Sequence, residues 1–343
     1  MLDSIGMFDL AAALPEQVES AAVRARGLGG LPDPASIEHV VFLGMGGSGM
    51  AGEIVRAVAA PMLAVPVVVV KSYECPAFVG PGSLVFAVSA SGDTEETVQA
   101  ATDAALAGAR MVVVCGGGQL GELAAGWRVP TVSVPRGIPQ PRAALGAMAV
   151  PPLVVLEEMG LYRGATHWIE AAVGQLKRRR DELVGAGDAS AAASVARRIG
   201  RTTALVHGGG ALGAAAAQRW KTQINENAKA PAWWAAQPEL CHNEICGWGQ
   251  HGDVTRQTVT AVALRHDWEH PQVGLRFELV SEILREVVAG VVEVRAEGDG
   301  DLAQLLDLVI FGDYVSLWMA AEAGVDPGPV PVLVDLKRQL AGG

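Results

Sequence analysis

The apolar positions of this chain fall into short β-branched blocks, several followed by a glycine-rich turn and then by a longer stretch with helical spacing. Residues 39–43 form one such block and feed Gly44-Met-Gly-Gly-Ser-Gly49, after which 51–60 reads as a helix. Blocks at 65–70 and 84–88 predict two more strands, the latter running into Ser89-Ala-Ser-Gly-Asp-Thr-Glu-Glu-Thr97 with a helix behind it. Further strands are expected at 111–114, ahead of Cys115-Gly-Gly-Gly118, and at 131–134. A helix at 151–161 closes this unit, and 163–192 reads as connecting helix. The pattern then restarts with a strand at 203–207, the turn Gly208-Gly-Gly-Ala-Leu-Gly213 and a helix over 212–224. Strands at 258–264 and 291–294 and helices near 275–288 and 302–323 follow, while 1–38 reads as helix plus a Pro-containing connector. Strand, glycine turn and helix in alternation predict an α/β protein whose parallel sheets are covered on both faces. Two units with similar openings predict doubly wound domains related by internal duplication, at 1–160 and 196–343, joined by a helical segment at 161–195.

The densest chemistry lies in 225–248. Pro231 cannot continue the preceding helix, so the chain should leave it near 227–230. A short apolar loop with Trp233 and Trp234 is expected next, then a second helix opened by Pro238 and ended by Gly247. Glu226 and Lys229 thus sit at a helix end, and His242 on a short helix beside apolar cover. A carboxylate and an imidazole are the groups that move protons on and off carbon and oxygen near neutral pH. Spacing alone favours a solvated glutamate and a surface histidine. Against that, two tryptophans lie between the candidates, and Asn225, Asn227, Asn243 and Glu244 crowd polar groups among apolar ones.

Composition narrows the function classes. Half of the 343 residues are hydrophobic and 18% are charged, ample for buried cores. A formal charge of −11 argues against general nucleic-acid binding, so an anionic ligand must be held by local donors. The one basic run, 177–180, lies in a charged helical stretch and reads as a solvated face. No membrane span is expected, since the longest apolar run, 57–70, is short and contains Pro61 and Pro66. With Asp3 and Asp9 and no basic segment, the N-terminus does not read as a secretory signal. Cys75, Cys115, Cys241 and Cys246 have neither disulfide-framework nor zinc spacing, which predicts a cytoplasmic protein with reduced thiols.

Gly44-x-Gly46-x-x-Gly49 has the form and context of a dinucleotide-binding turn, but Lys71 stands where an acidic residue would meet a ribose. The alternative use of such a turn is to bring backbone N–H groups and Ser48 to a phosphate at a helix N-terminus. Ser89, Ser91 and Thr94 strengthen it: three hydroxyls in a strand-to-helix loop exceed what capping needs, although Asp93 must point away from any anion. Arg142 sits at a break between elements from which it can reach a ligand or simply start a helix. His266-Asp-Trp-Glu-His270 formally fits an inverted zinc pattern, but Pro271 follows at once, so no metal is expected.

Taken together, Gly44-Met-Gly-Gly-Ser-Gly49, Ser89-Ala-Ser-Gly-Asp-Thr-Glu-Glu-Thr97, Pro141-Arg-Ala-Ala-Leu-Gly146, Asn225-Glu-Asn-Ala-Lys229 and Pro238-Glu-Leu-Cys-His-Asn-Glu-Ile245 resemble the bifunctional phosphoglucose/phosphomannose isomerases of the sugar isomerase (SIS) superfamily. The resemblance spans nearly the whole chain, through Gly312-Asp-Tyr314 and the C-terminal Asp335-Leu-Lys-Arg338. It implies two SIS domains in a homodimer that interconverts glucose 6-phosphate and mannose 6-phosphate with fructose 6-phosphate, without metal or cofactor. It also implies roles. Glu226 resembles the base that shuttles a proton between C1 and C2 through a cis-enediolate, His242 the ring-opening residue, and Lys337 a lysine that enters the site. Gly46, Gly47, Ser48, Ser89, Ser91 and Thr94 resemble the phosphate and sugar cradle, and Arg142 the cation near the enediolate. Ala90, Asp93 and Cys241 depart from the family pattern, which has an aromatic, Asn and Asn there. The reading from a different class is a sugar-phosphate-binding SIS regulator without catalysis.

Overall fold

The protein is described by a computed structural model over residues 2–341. In chain order the elements are α1 (Met7–Ala12), α2 (Leu14–Ala25), β1 (His39–Leu43), α3 (Gly46–Ala59), β2 (Val67–Val70), β3 (Ser83–Ser89), α4 (Glu95–Leu106), β4 (Arg110–Cys115), α5 (Gly118–Trp127), β5 (Thr131–Ser133) and α6 (Leu145–Glu158). They continue with α7 (Ala165–Ala186), α8 (Ala191–Ile199), β6 (Thr203–Gly209), α9 (Gly210–Gln223), β7 (Ala232–Gln237), α10 (Gly252–Thr258), β8 (Val259–Arg265), α11 (Pro271–Arg285), β9 (Gly290–Arg295), α12 (Asp301–Glu322) and α13 (Pro331–Ala341).

Two parallel sheets result, in the orders β2-β1-β3-β4-β5 and β7-β6-β8-β9. The central strands β1, β3 and β6 are buried almost end to end, which is why they read as unbroken apolar runs rather than alternating ones. Each unit has its second strand outside the first and its third and fourth on the other side, so the two share one topology.

Two sequence expectations fail within 231–247. The segment expected as a loop is β7, an edge strand paired with β6 from Ala204↔Ala232 to Gly209↔Gln237. Among the described residues no strand pairs with its outer side, and Trp233 and Trp234 remain 59% and 38% exposed. The helix expected from Pro238 is instead two 3-10 turns, Glu239–His242 and Glu244–Gly247. Asn243 between them leaves helical geometry (φ −146°) and accepts the Glu244 N–H on its own side chain at 2.6 Å, which ends one turn and starts the next.

One apolar core runs through both halves, from Leu14 and Val18 in α2 to Val315 and Met319 in α12. The centre of it is α12, packed on α7, α8 and α9. Contrary to the expectation that no segment resembles a span, α12 is long and apolar enough to cross a membrane; its apolar window is wholly buried in the core instead. Two buried arginines of this core are held by aspartates of α12. Arg179 of α7 reaches Asp307 of α12 through Nε and Nη2 at 2.8 and 2.9 Å. Arg219 of α9, 1% exposed, holds both oxygens of Asp313 at 3.0 and 2.8 Å.

Removing one member of such a pair leaves an uncompensated charge. Asp313→Ala is therefore expected to lower unfolding free energy by about 3–5 kcal/mol in urea titrations. Asp335→Ala, which breaks an exposed pair with Arg338, should cost under about 1 kcal/mol in the same assay.

Candidate active site

The order β2-β1-β3 sends the chain to opposite sides after β1 and after β3, and a crevice opens between their carboxyl ends. The turn after β1 is tight. A Cβ on Gly44 would lie 2.9 Å from the Val88 carbonyl, and Gly46, at φ +51°, reverses the chain into α3. The first amides of α3 therefore open into the crevice. Ser48, in that first turn, accepts the Ala90 N–H at 3.3 Å and donates to Met148 Sδ at 3.2 Å, which ties the two turns together.

In the turn after β3, Ser89 behaves differently from its neighbours. Its buried Oγ accepts the Gly92 N–H at 3.0 Å and bonds Thr94 Oγ1 at 3.1 Å. Ser89 therefore ties the loop and does not line the crevice. It is the last residue of a fully covered strand and is not among the residues that border the crevice. Ser91 and Thr94 do reach the crevice. Asp93 turns the other way and accepts the Gln119 N–H at the start of α5 at 2.9 Å, which removes the electrostatic objection it raised.

From the second unit, α9 ends by widening into a π turn, Ile224–Ala228, that carries Glu226 and Asn227. Lys229 closes it in the left-handed region (φ +54°), its Nζ donating to the Glu226 and Pro327 carbonyls at 2.7 and 3.1 Å. Arg142 lies beside this turn and is 3% exposed. Its Nε donates to Asn227 Oδ1 at 2.8 Å, and Nη1 to Gln140 Oε1 at 2.8 Å and Glu226 Oε2 at 3.4 Å. Nη2 donates to the Pro327 and Gly328 carbonyls at 2.6 and 2.9 Å. Burial pulls the basicity of this guanidinium down, and Glu226 acts against that. Lys229 is lowered as well, first by burial and then by Arg142.

These groups border one cleft of about 440 Å³. It brings together Gly46, Gly47, Ser48, Ser91, Thr94, Arg142, Glu226 and, from α13, Lys337. Among its other lining residues, Glu96, Gln140, Val330, Leu333 and Val334 had no sequence signal beyond helix capping for Glu96. His242 is not among these residues. The antiparallel run of α9 against β6 returns Glu226 to the edge where β7 begins, whereas His242 follows the other end of β7. Six strand residues, about 20 Å, separate the two. Within one chain the expected carboxylate–imidazole pair is therefore split between opposite ends of β7. The inverted zinc pattern dissolves too: His266 bonds the Gly209 carbonyl, Glu269 pairs with Arg265 and His270 caps α11.

Comparison with known proteins agrees with this layout. A model of the bacterial phospho-glucose isomerase C-terminal SIS domain matches residues 188–340, and a SIS domain model matches residues 35–124. The chain is 32% identical over 338 residues to a bifunctional phosphoglucose/phosphomannose isomerase of Caldicellulosiruptor bescii, covering 98% of this chain and 99% of that protein. It is 33% identical to the protein of the same name from Aquifex aeolicus, over 90% of this chain and 92% of that one. Among solved structures, the C-terminal domain of glucosamine-fructose-6-phosphate aminotransferase from Francisella tularensis superposes with a TM-score of 0.71 at 16% identity, covering 94% and 97% of the two chains; that likeness is one of fold. With two SIS units, a serine-lined crevice facing Glu226 and near-full-length identity above 30%, the chain belongs to the bifunctional phosphoglucose/phosphomannose isomerase family, a family of intramolecular oxidoreductases.

Proposed function

We propose that this protein interconverts glucose 6-phosphate and mannose 6-phosphate with fructose 6-phosphate, acting as a cytoplasmic homodimer. One observation carries the reading: a carboxylate, an adjacent guanidinium and a lysine share a single hexose-sized cleft with the hydroxyls and first amides of two strand-to-helix turns. The phosphate sits on the α3 N-terminus and the Ser48, Ser91 and Thr94 hydroxyls, where helix dipole and N–H groups favour an anion despite the net charge of −11. Ser89 contributes by holding Thr94 in place.

With the phosphate fixed, the open-chain carbonyl end extends toward Glu226. Its carboxylate takes the proton from C2 of the aldose, and the C2 electron pair forms the C1=C2 enediolate as charge moves onto O1. The same proton returns to C1 while the O2–H proton passes to O1, so C1 is reduced, C2 is oxidised and no cofactor is consumed. Glucose and mannose 6-phosphates differ only at C2, so both give this one intermediate. Arg142, held by five acceptors, presents a fixed cation beside the developing charge, and Lys337 supplies a second from α13.

His242 fits ring opening, protonating the ring oxygen as the anomeric hydroxyl loses its proton. Since it follows the far end of β7 from Glu226 of its own chain, the imidazole comes from a second copy. Exposed apolar side chains on the same unit as His242 support such a partner: Trp233 and Trp234 on β7, and Leu275, Leu279 and Ile283 in one stripe along α11.

A coupled assay tests the chemistry. Glu226→Gln should lower kcat for both aldose phosphates about 10²–10⁴-fold and abolish loss of deuterium from C2. Fructose 6-phosphate should still raise its melting temperature; if wild type shows that shift but no turnover, the protein is a binder. Mixing Glu226→Gln with His242→Ala subunits should restore about a quarter of wild-type activity, since half the dimers then carry one intact site of two. No recovery would place the imidazole in its own chain's site. Asp93→Asn should leave KM unchanged, because that carboxylate faces α5 and not the substrate.

A further inference from the structure

The turn that carries His242 is exposed, lies beyond an edge strand and contains no long helix, yet an acid–base group must be held to a fraction of an ångström. A side chain outside the cleft bonds this turn. His207, in the middle of β6, is 2% exposed and points to the α11 face of the sheet. Its register neighbours on both sides are alanines, Ala235 and Ala263, which leave a slot beside the ring. Its Nε2 meets Glu244 Oε1 at 2.9 Å, two residues beyond His242, and the Trp248 Nε1–H donates to the same oxygen at 3.4 Å.

The remaining ties of the turn are weaker or local. Leu240 packs with Val280, Leu284 and Val288, Cys241 Sγ donates to Gln237 Oε1 at 3.0 Å, and Asn243 bonds within the turn. A core alone would be served by an aliphatic residue at 207, as at Leu205 two residues earlier on the same face. A buried imidazole whose polar contact is a carboxylate on a surface turn is costly unless the bond has a purpose.

We propose that His207 is a positioning residue for His242: through Glu244 it pins the Glu239–Gly247 turn to the sheet and sets the aim of the exposed imidazole. This rests on the ring-opening role proposed for His242, but its test does not depend on that role alone. In a double-mutant cycle, His207→Phe should lower kcat on fructose 6-phosphate about 10–100-fold with KM for the phosphate unchanged, because the cradle belongs to the other unit. The double variant His207→Phe/His242→Ala should be no slower than His242→Ala alone. Glu244→Ala, which cuts the same bond from its half-exposed end, should repeat both results, and Glu244→Gln should recover most of the loss. Losses that multiply in the double variants, or an unchanged kcat, would overturn the proposal. Independently of turnover, the ring 13Cε1 NMR signal of His242 should shift or broaden in Glu244→Ala and keep its wild-type position in Glu244→Gln. If wild type turns over no hexose phosphate, the isomerase reading falls, and this signal still decides: no change in Glu244→Ala rejects the positioning role.

Discussion

The site depends on one buried guanidinium. Arg142 is the point at which the first unit, the π turn of the second and the segment leading to α13 meet, and each of its nitrogens has acceptors there. Arg219, paired with Asp313, braces that arrangement from behind by donating to the Arg142 carbonyl at 2.9 Å. A neighbouring layer continues the network: Asn227, whose Oδ1 accepts from Arg142, donates through Nδ2 to Ser316 Oγ on α12 at 2.9 Å. Planar donors in fixed directions make this geometry stiff, and a lysine at the same place would leave most of the acceptors unmet. Glu226 inherits its position from that knot rather than from its own contacts.

The shared core has a related effect. Because α3 and α9, the helices after the two glycine turns, pack on each other as well as on α6 and α12, the units are not free to hinge at the cleft. At the mouth of the cleft lies α13, whose Val332, Leu336 and Leu340 face outward while Leu333 and Lys337 border the cleft.

Much of this was legible from residues alone, for physical reasons. β1, β3, β4 and β6 are covered on both faces, so they had to be continuous apolar runs, and the glycine turns had to follow them. β7 was missed because an edge strand needs no such run: its Trp-Trp pair and small residues show neither periodicity. The duplication held the missing signal, since the first unit also places an outer strand, β2, after its glycine-turn helix. Ser89, Ser91 and Thr94 look equivalent in sequence, and only the end of β3 distinguishes the first from the others. The separation of Glu226 from His242 is set by strand direction, which no local pattern records. Nor does a sequence show that Arg142 and Asn227, 85 positions apart, would bond each other.

The π turn at 224–228 has one more consequence. A turn closed by i→i+5 bonds holds a residue more than its α-helical counterpart. Loss of any single residue there would let ordinary i→i+4 bonding resume without a backbone group left unmet, and the helix would look better formed. The helix on either side would keep its phase, but the widened turn that carries Glu226 and Asn227 to Arg142 would collapse. The irregularity thus sets where these two side chains emerge, and regularising it is the change the backbone would tolerate best and the Arg142 network least.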